Sequence, residues 1–283
     1  MKNNMINFYK MTGGGNDFVV VDNRKDQLPK DFSPLAKELC VRKFSIGADG
    51  LLVLEESDVA NFRMHYYNSD GSRAEMCGNG ARCIAQFAYL LKAAPQKMSF
   101  VTDAGVVEAE ILERSVKLKI TPPKDLRLDF PIRLDPGKEF NVSFINSGVP
   151  HTVLMVSDIE KVDVEELGKT IRFHKEFAPA GANANFVLVH DKNNISLRTY
   201  ERGVEQETLA CGTGAIASSL ICAAKGMTQT PVTCKTRGGE NLTVHFQKNF
   251  QSEVEPLPPG DPFTEVYLEG AVKVCFTGNL QLV

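Results

Sequence analysis

One pentad occurs twice in this chain, as Cys77-Gly78-Asn79-Gly80-Ala81 and as Cys211-Gly212-Thr213-Gly214-Ala215, each running straight into an apolar segment of helical length. Self-similarity of this kind signals a duplicated unit, so both copies must adopt the same local structure. The two segments, 80–92 and 214–225, are apolar on most sides and read as helices buried within their own domains. Short β-like runs surround them: 17–22, 51–55, 61–67, 106–112 and 116–120 in the first half, and 142–145, 152–156, 185–189, 195–200 and 242–246 in the second. The expected fold class is α/β in the α+β sense, with two pseudo-symmetric domains, each a β-barrel-like sheet around a central helix.

A chain of 283 residues is long enough for two such cores. Proline marks the joints, because it continues neither a helix nor a central strand. The stretches are Thr121-Pro122-Pro123-Lys124 and the run from Pro256 through Pro258-Pro259-Gly260 to Pro262. Expected boundaries are therefore 1–122 plus 264–283 for the domain carrying Cys77, and 123–263 for the domain carrying Cys211. The strand-like tail 265–276 has too little sequence for a core and returns to the first domain.

A formal net charge of -3 with scattered lysines and arginines leaves no electrostatic footprint for nucleic acid or an anionic membrane, so a small molecule is the expected ligand. With neither a signal peptide nor an apolar span in view, a cytoplasmic location is the expectation. The seven cysteines are odd in number and include no Cys-x-x-Cys pair, which argues against a disulfide framework and against a structural zinc site; no metal is expected.

A cysteine followed by Gly-x-Gly at a helix start sits among unpaired backbone N–H groups and near the positive end of the helix dipole, and both favour the thiolate. The same N–H groups hold a carboxylate, and glycine lets the backbone come close to it. Inverting an amino-acid α-carbon needs a base on one face and an acid on the other, roles that a thiolate and a thiol exchange with reaction direction. Without a cofactor to absorb charge, the carbanion must be stabilised by preorganised donors in a water-excluded cleft. Two duplicated domains facing each other would supply that pairing.

Cysteine also simply packs. Cys40, Cys222, Cys234 and Cys275 lie in apolar or β-like runs and read as core, as does Cys83, six residues after Cys77. Taken singly, other polar residues have two readings each. Thr12-Gly13-Gly14-Gly15-Asn16 suits a hairpin or a ligand loop; His151 suits a structural histidine or a pKa-tuning neighbour; Glu201 and Arg202 suit a solvated pair or substrate contacts; Asn183 and Asn185 suit loop caps or contacts.

Gly14-Gly15-Asn16-Asp17-Phe18, Asn68-x-Asp70-Gly71, the run Met76 to Cys83, and Tyr200-Glu201-Arg202-Gly203 followed by Ala210 to Ala215 together resemble the diaminopimelate epimerases, in order and over nearly the whole chain. The resemblance implies epimerisation of LL-diaminopimelate to meso-diaminopimelate on the lysine and peptidoglycan-precursor route, without cofactor, by a homodimer. It implies that Cys77 and Cys211 are the acid-base pair and that Gly78, Asn79, Gly212 and Thr213 hold the reacting carboxylate. Asn16, Asn68, Asn183, Glu201 and Arg202 would read the rest of the substrate, and His151 and Glu201 would tune the cysteines. Departures from the pattern are Val149, where asparagine is frequent in a Gly-Asn-Pro-His segment with Asn146 just upstream, Gly50, where some members have glutamine, and Glu269-Gly270-Ala271 in the tail. Rival readings are a racemase resembling proline racemase, acting on a monocarboxylic amino acid, and a non-catalytic metabolite-binding or thiol redox protein. Asn79 after Cys-Gly, and Glu201-Arg202 as handles for a distal zwitterion, favour diaminopimelate.

Overall fold

The computed structural model describes residues 5–134, 137–250 and 262–281. The chain divides into two compact units, Met1–Lys119 with Gly270–Val283, and Ile120–Glu269. Pro256, Pro258, Pro259 and Gly260 of the second proline run lie outside the described residues.

In the first unit the chain makes β1 (Met5–Gly13), β2 (Asn16–Asp22), α1 (Ser33–Leu39), β3 (Gly50–Glu55), β4 (Phe62–Asn68), the short β5 (Arg73–Ala74), α2 (Gly78–Leu90), β6 (Lys97–Thr102), β7 (Gly105–Ile111) and β8 (Ser115–Lys119). The second unit follows with β9 (Lys124–Leu134), β10 (Lys138–Asn146), β11 (Pro150–Met155), α3 (Val164–Arg172), β12 (Asn183–Val189), β13 (Asn194–Glu201), the short β14 (Gln206–Thr208), α4 (Gly212–Ala224), β15 (Val232–Lys235), β16 (Asn241–Lys248) and β17 (Phe263–Ala271). A last strand, β18 (Lys273–Gln281), pairs with β1.

The duplication seen in the pentads extends to the hydrogen-bonded ladders. From β1 outwards the first unit runs β1/β2 antiparallel, β2/β3 parallel, β3/β4 antiparallel, β4/β6 parallel and β6/β7 antiparallel. The second unit repeats that series as β10/β11, β11/β12, β12/β13, β13/β15 and β15/β16, with the same alternation of direction. In each unit the long helix, α2 or α4, packs on one face of its sheet, and the shorter α1 or α3 packs near the middle strands.

Central strands are thus covered on both faces, which explains continuous apolar runs such as Leu51-Leu52-Val53-Leu54, all buried. Period-two alternation then sorts the side chains. In β12, Ala184 and Phe186 enter the α3 cluster and Val187 the α4 cluster, so Asn183 and Asn185 share the α4 face. Tyr200 on β13 goes to the α3 side, which leaves Thr199 and Glu201 for the α4 side. In the first unit Val19, Val21 and Tyr67 join the α1 cluster, so Asn16, Tyr66 and Asn68 have the parity that faces α2.

Three sequence expectations change. Residues 120–122 and 264–269, expected in the first domain, belong to the second unit, because Phe263, Val266 and Leu268 are buried in its core and Ile120 packs against it. Asn183 and Asn185 are buried strand residues rather than loop caps. Cys275, expected in a core, is exposed on β18, whereas Cys40, Cys83, Cys222 and Cys234 are buried.

Candidate active site

In the first unit Cys77 is the N-cap of α2, in extended conformation (φ -140°, ψ 121°), and its Sγ accepts the Gly80 N–H at 3.5 Å. The first-turn N–H groups have no partner within the helix and point toward any anion placed beyond Cys77. Asn79 Nδ2 donates to the Gly14 carbonyl at 3.1 Å and to Asn16 Oδ1 at 2.8 Å, while the fully buried Arg82 donates to Asn79 Oδ1. Asn16 Nδ2 donates in turn to Asp49 Oδ2 at 2.9 Å, and Asp49 Oδ1 takes Arg42 at 2.8 Å. Because arginine only donates and a carboxylate only accepts, the ends of this chain set the orientation of both amides between them.

Gly14 and Gly15, at φ 62° and 83°, form the two-residue turn joining β1 and β2, and a Cβ on Gly14 would overlap the Asn79 side chain. Of the two readings of this loop, the hairpin is the one observed. Just behind it, Asp17 is held down to about 2: burial pushes its carboxyl up, but hydrogen bonds and charge from Arg42 and Lys10 outweigh that.

Asn68, at the end of β4, accepts the Tyr66 hydroxyl at 2.8 Å and donates to Ser72 Oγ at 3.0 Å. Burial pushes the Tyr66 phenol up, with the Cys77 charge as the next contribution. Gly50 is required by that ring: a Cβ there would lie 2.6 Å from Tyr66 Cε2 and 2.6 Å from the Tyr67 carbonyl oxygen.

The second unit repeats the cap. Cys211 precedes α4 with φ -127° and ψ 110°, its Sγ accepting the Gly214 N–H at 3.4 Å and lying 3.5 Å from Thr213 Oγ1. His151 Nε2 is 2.9 Å from Thr213 Oγ1, and its Nδ1 is 2.9 Å from Asn185 Nδ2. Asn183 donates to the Pro150 carbonyl at 3.0 Å and accepts the Arg202 backbone N–H at 2.7 Å, tying the end of β13 to the start of β12. Asn146 Oδ1 takes the Gly148 N–H at 3.2 Å, a local turn bond.

Electrostatics at Cys211 run against the expectation from its helix position. Burial pushes the thiol up to about 12, the Glu201 charge adds to this, and the hydrogen bonds from Thr213 and Gly214 recover only part. Cys211 therefore rests as a thiol at neutral pH. Burial likewise raises the Glu201 carboxyl, opposed by a hydrogen bond with Thr208.

Burial drives His151 down to about 3, so the native imidazole is neutral. The sign follows from linkage: between pH 6.5 and 3 the unfolded histidine binds a proton that the folded one refuses, so its stabilising contribution is full above 6.5 and falls with pH across that window. The slope is roughly 1.4 kcal/mol per pH unit. Urea midpoints measured between pH 7 and pH 5 should fall more steeply for the native chain than for His151→Gln, and parallel curves would contradict a buried neutral imidazole. Asp17 adds its own loss only lower, as pH falls from 3.8 toward 2.

Of the residues expected from sequence, Asn16, Asn68, Gly78 and Asn79 lie in the first unit on the α2 face or in its cap, and His151, Asn183, Glu201, Gly212 and Thr213 lie so in the second, with Arg202 in the turn just beyond β13. Residues missed from sequence are Tyr66, Asp49, Arg82 and Thr199, and Asn185 reads there only as a loop cap or a contact. Strand parity alone pairs Tyr66 with Asn68 and Thr199 with Glu201; nothing local marks Asp49 or Arg82. Among the described residues no group of three or more His, Cys, Asp or Glu side chains is gathered that could hold a metal ion.

Solved structures with this arrangement include a PhzF-family phenazine biosynthesis protein from Bacillus anthracis (TM-score 0.69, 14% identity, covering 100% of both chains). Another is a probable proline racemase from Agrobacterium radiobacter K84 (TM-score 0.68, 14% identity, covering 98% of this chain and 93% of that one). At such identity the likeness shows the fold alone, and the chain has the PhzF and proline racemase fold. The family model described as Diaminopimelate epimerase matches residues 8–124 and 143–255. Relatives named diaminopimelate epimerase are 44% identical in Aquifex aeolicus (97% of this chain, 98% of the relative) and 39% identical in Chlorobaculum tepidum (96% and 100%). The chain belongs to the diaminopimelate epimerase family.

Proposed function

We propose that this protein interconverts LL- and meso-diaminopimelate by moving a proton between one α-carbon and two thiols, Cys77 and Cys211, without a cofactor. The observation that carries the reading is the repeated cap: in both units a cysteine in extended conformation precedes a buried helix and accepts the N–H three residues on. In one direction a thiolate removes the α-proton while the other cysteine, as a thiol, returns one to the opposite face; the reverse reaction exchanges the roles. The first-turn N–H groups of Gly78, Asn79, Gly212 and Thr213 take the α-carboxylate, where negative charge gathers as the proton leaves.

Asn16, Asn68 and Asn183, with Glu201 and Arg202, read the distal amino-acid end. His151 and Glu201 adjust the acidity of the thiols. Family membership supports diaminopimelate over a monocarboxylic substrate. The reading further places the enzyme on the lysine and peptidoglycan-precursor route, in the cytoplasm, as a homodimer. No helix among the described residues is long and apolar enough to cross a membrane.

The test is turnover of LL-diaminopimelate in deuterated water with no added cofactor. Meso product carrying solvent deuterium at the inverted centre is expected from the first turnovers, because the returning proton comes from a thiol equilibrated with solvent. Absence of conversion, or product retaining the original hydrogen, would end the two-thiol reading.

A further inference from the structure

We infer that Asn185 is a positioning residue: it holds His151 as the Nε2–H tautomer and thereby turns the hydroxyl proton of Thr213 onto Cys211 Sγ. The inference rests on the acid-base role proposed for Cys211, and its geometry lies wholly within the second unit.

Asn185 is 1% exposed and has its amide fully engaged. Its Nδ2 lies 2.9 Å from the Thr152 carbonyl oxygen, a group that can only accept, and its Oδ1 receives the Thr199 hydroxyl at 2.9 Å. Turning the amide over would press Oδ1 against that carbonyl, so its orientation is set by the backbone. The same NH2 group faces His151 Nδ1 at 2.9 Å, and a donor there requires Nδ1 to carry a lone pair. A neutral imidazole has one proton, which must then sit on Nε2.

Nε2 has two neighbours, Thr213 Oγ1 at 2.9 Å and Asn183 Nδ2 at 3.5 Å. The Asn183 amide already donates to the Pro150 carbonyl at 3.0 Å, so the shorter contact decides and Nε2–H donates to Thr213 Oγ1. The Thr213 proton cannot return along that bond, and its other partner among the described residues is Cys211 Sγ at 3.5 Å. A donor fixed on sulfur favours the thiolate, and so offsets part of the cost that burial and Glu201 impose on ionising this cysteine. Gly214 makes room for the device: a Cβ there would come 2.5 Å from Asn185 Oδ1 and 3.2 Å from Thr199 Oγ1. The first unit carries a different arrangement, with Asn79 in the place of Thr213 and the buried Arg82 donating to it. The two cysteines are thus served by unlike networks despite their shared cap.

The charged and titratable groups that act on this cluster are His151 from β11, Glu201 at the end of β13, Arg202 just beyond it, and Cys211 itself before α4, while β12 contributes only amides. Two measurements on the full chain decide the matter without using turnover. In a sample with 15N-labelled histidine, the His151 resonances, assigned by their loss in His151→Gln, should show a pyridine-type Nδ1 and a pyrrole-type Nε2 at neutral pH. A protonated Nδ1 would overturn the proposal.

The second measurement is alkylation of Cys211 by iodoacetamide as a function of pH, read by peptide mass spectrometry. Asn185→Asp places an acceptor against Nδ1 and draws the proton there, so Thr213 then donates to Nε2 instead of to sulfur. Alkylation at fixed pH should slow about tenfold, the equivalent of one pK unit. Since an added carboxylate also acts through space, the comparison is repeated with Thr213→Val, where the slowing should largely vanish. Equal slowing in both backgrounds would overturn the relay. A protein that shows the tautomer and the coupling yet leaves diaminopimelate unchanged would count against the proposed reaction and not against the relay.

Discussion

Serine or alanine in place of either Cys77 or Cys211 should lower epimerisation by about 10³-fold or more while leaving a folded protein, and the serine variants separate chemistry from structure most clearly. Both cysteines occupy N-cap positions, where their sulfurs accept weak N–H bonds at 3.5 Å and 3.4 Å. Serine is among the preferred N-cap residues, with a shorter and stronger oxygen acceptor, so the variants should melt at or above the native temperature. An alcohol is nevertheless a far weaker acid than a thiol and cannot serve as the base or the acid at neutral pH. Alanine removes the cap as well, at about 1 kcal/mol. Melting temperature and turnover measured on the same four proteins give the answer, and near-native turnover in any single variant would mean that its cysteine only packs.

Arg202→Lys should reduce kcat/KM on diaminopimelate at least tenfold, with the thiols untouched. The Arg202 backbone N–H is anchored on Asn183, but among the described residues its guanidinium makes one hydrogen bond, at 3.4 Å to the Ala180 carbonyl. Most of the planar fork therefore remains for a distal carboxylate, which it can grip by two parallel bonds. Lysine keeps the charge and the backbone anchor yet loses the fork, and under-pairing a charge in such a site costs about 2 to 5 kcal/mol. Steady-state kinetics with both stereoisomers tests this. Unchanged efficiency would make Arg202 a surface residue and restore the monocarboxylic alternative, which needs no distal clamp.

Glu201 has the complementary position at the end of β13, where burial raises its carboxyl and its charge in turn raises the Cys211 thiol. A distal ammonium paired with Glu201 would relieve both effects together. Substrate arrival and thiol ionisation would then be linked through one carboxylate.

Sequence by itself determined the duplication, the two helix starts and the identity of the residues at the caps, because those signals are local. A cap bond spans three residues, and strand alternation spans two. Even the burial of α4 was legible, since a helix apolar on most sides has nowhere else to go. Tertiary structure decided the rest. Asn79 meets Asn16 across 63 positions and His151 meets Thr213 across 62, separations that no spacing rule connects. The division of the terminal strands at residue 269 depends on which core accepts Phe263, Val266 and Leu268. The protonation of Cys211 is the sharpest case: its helix position favours the thiolate, but desolvation by the packed chain is larger and reverses the outcome, and desolvation depends on everything folded around the group rather than on its neighbours in sequence.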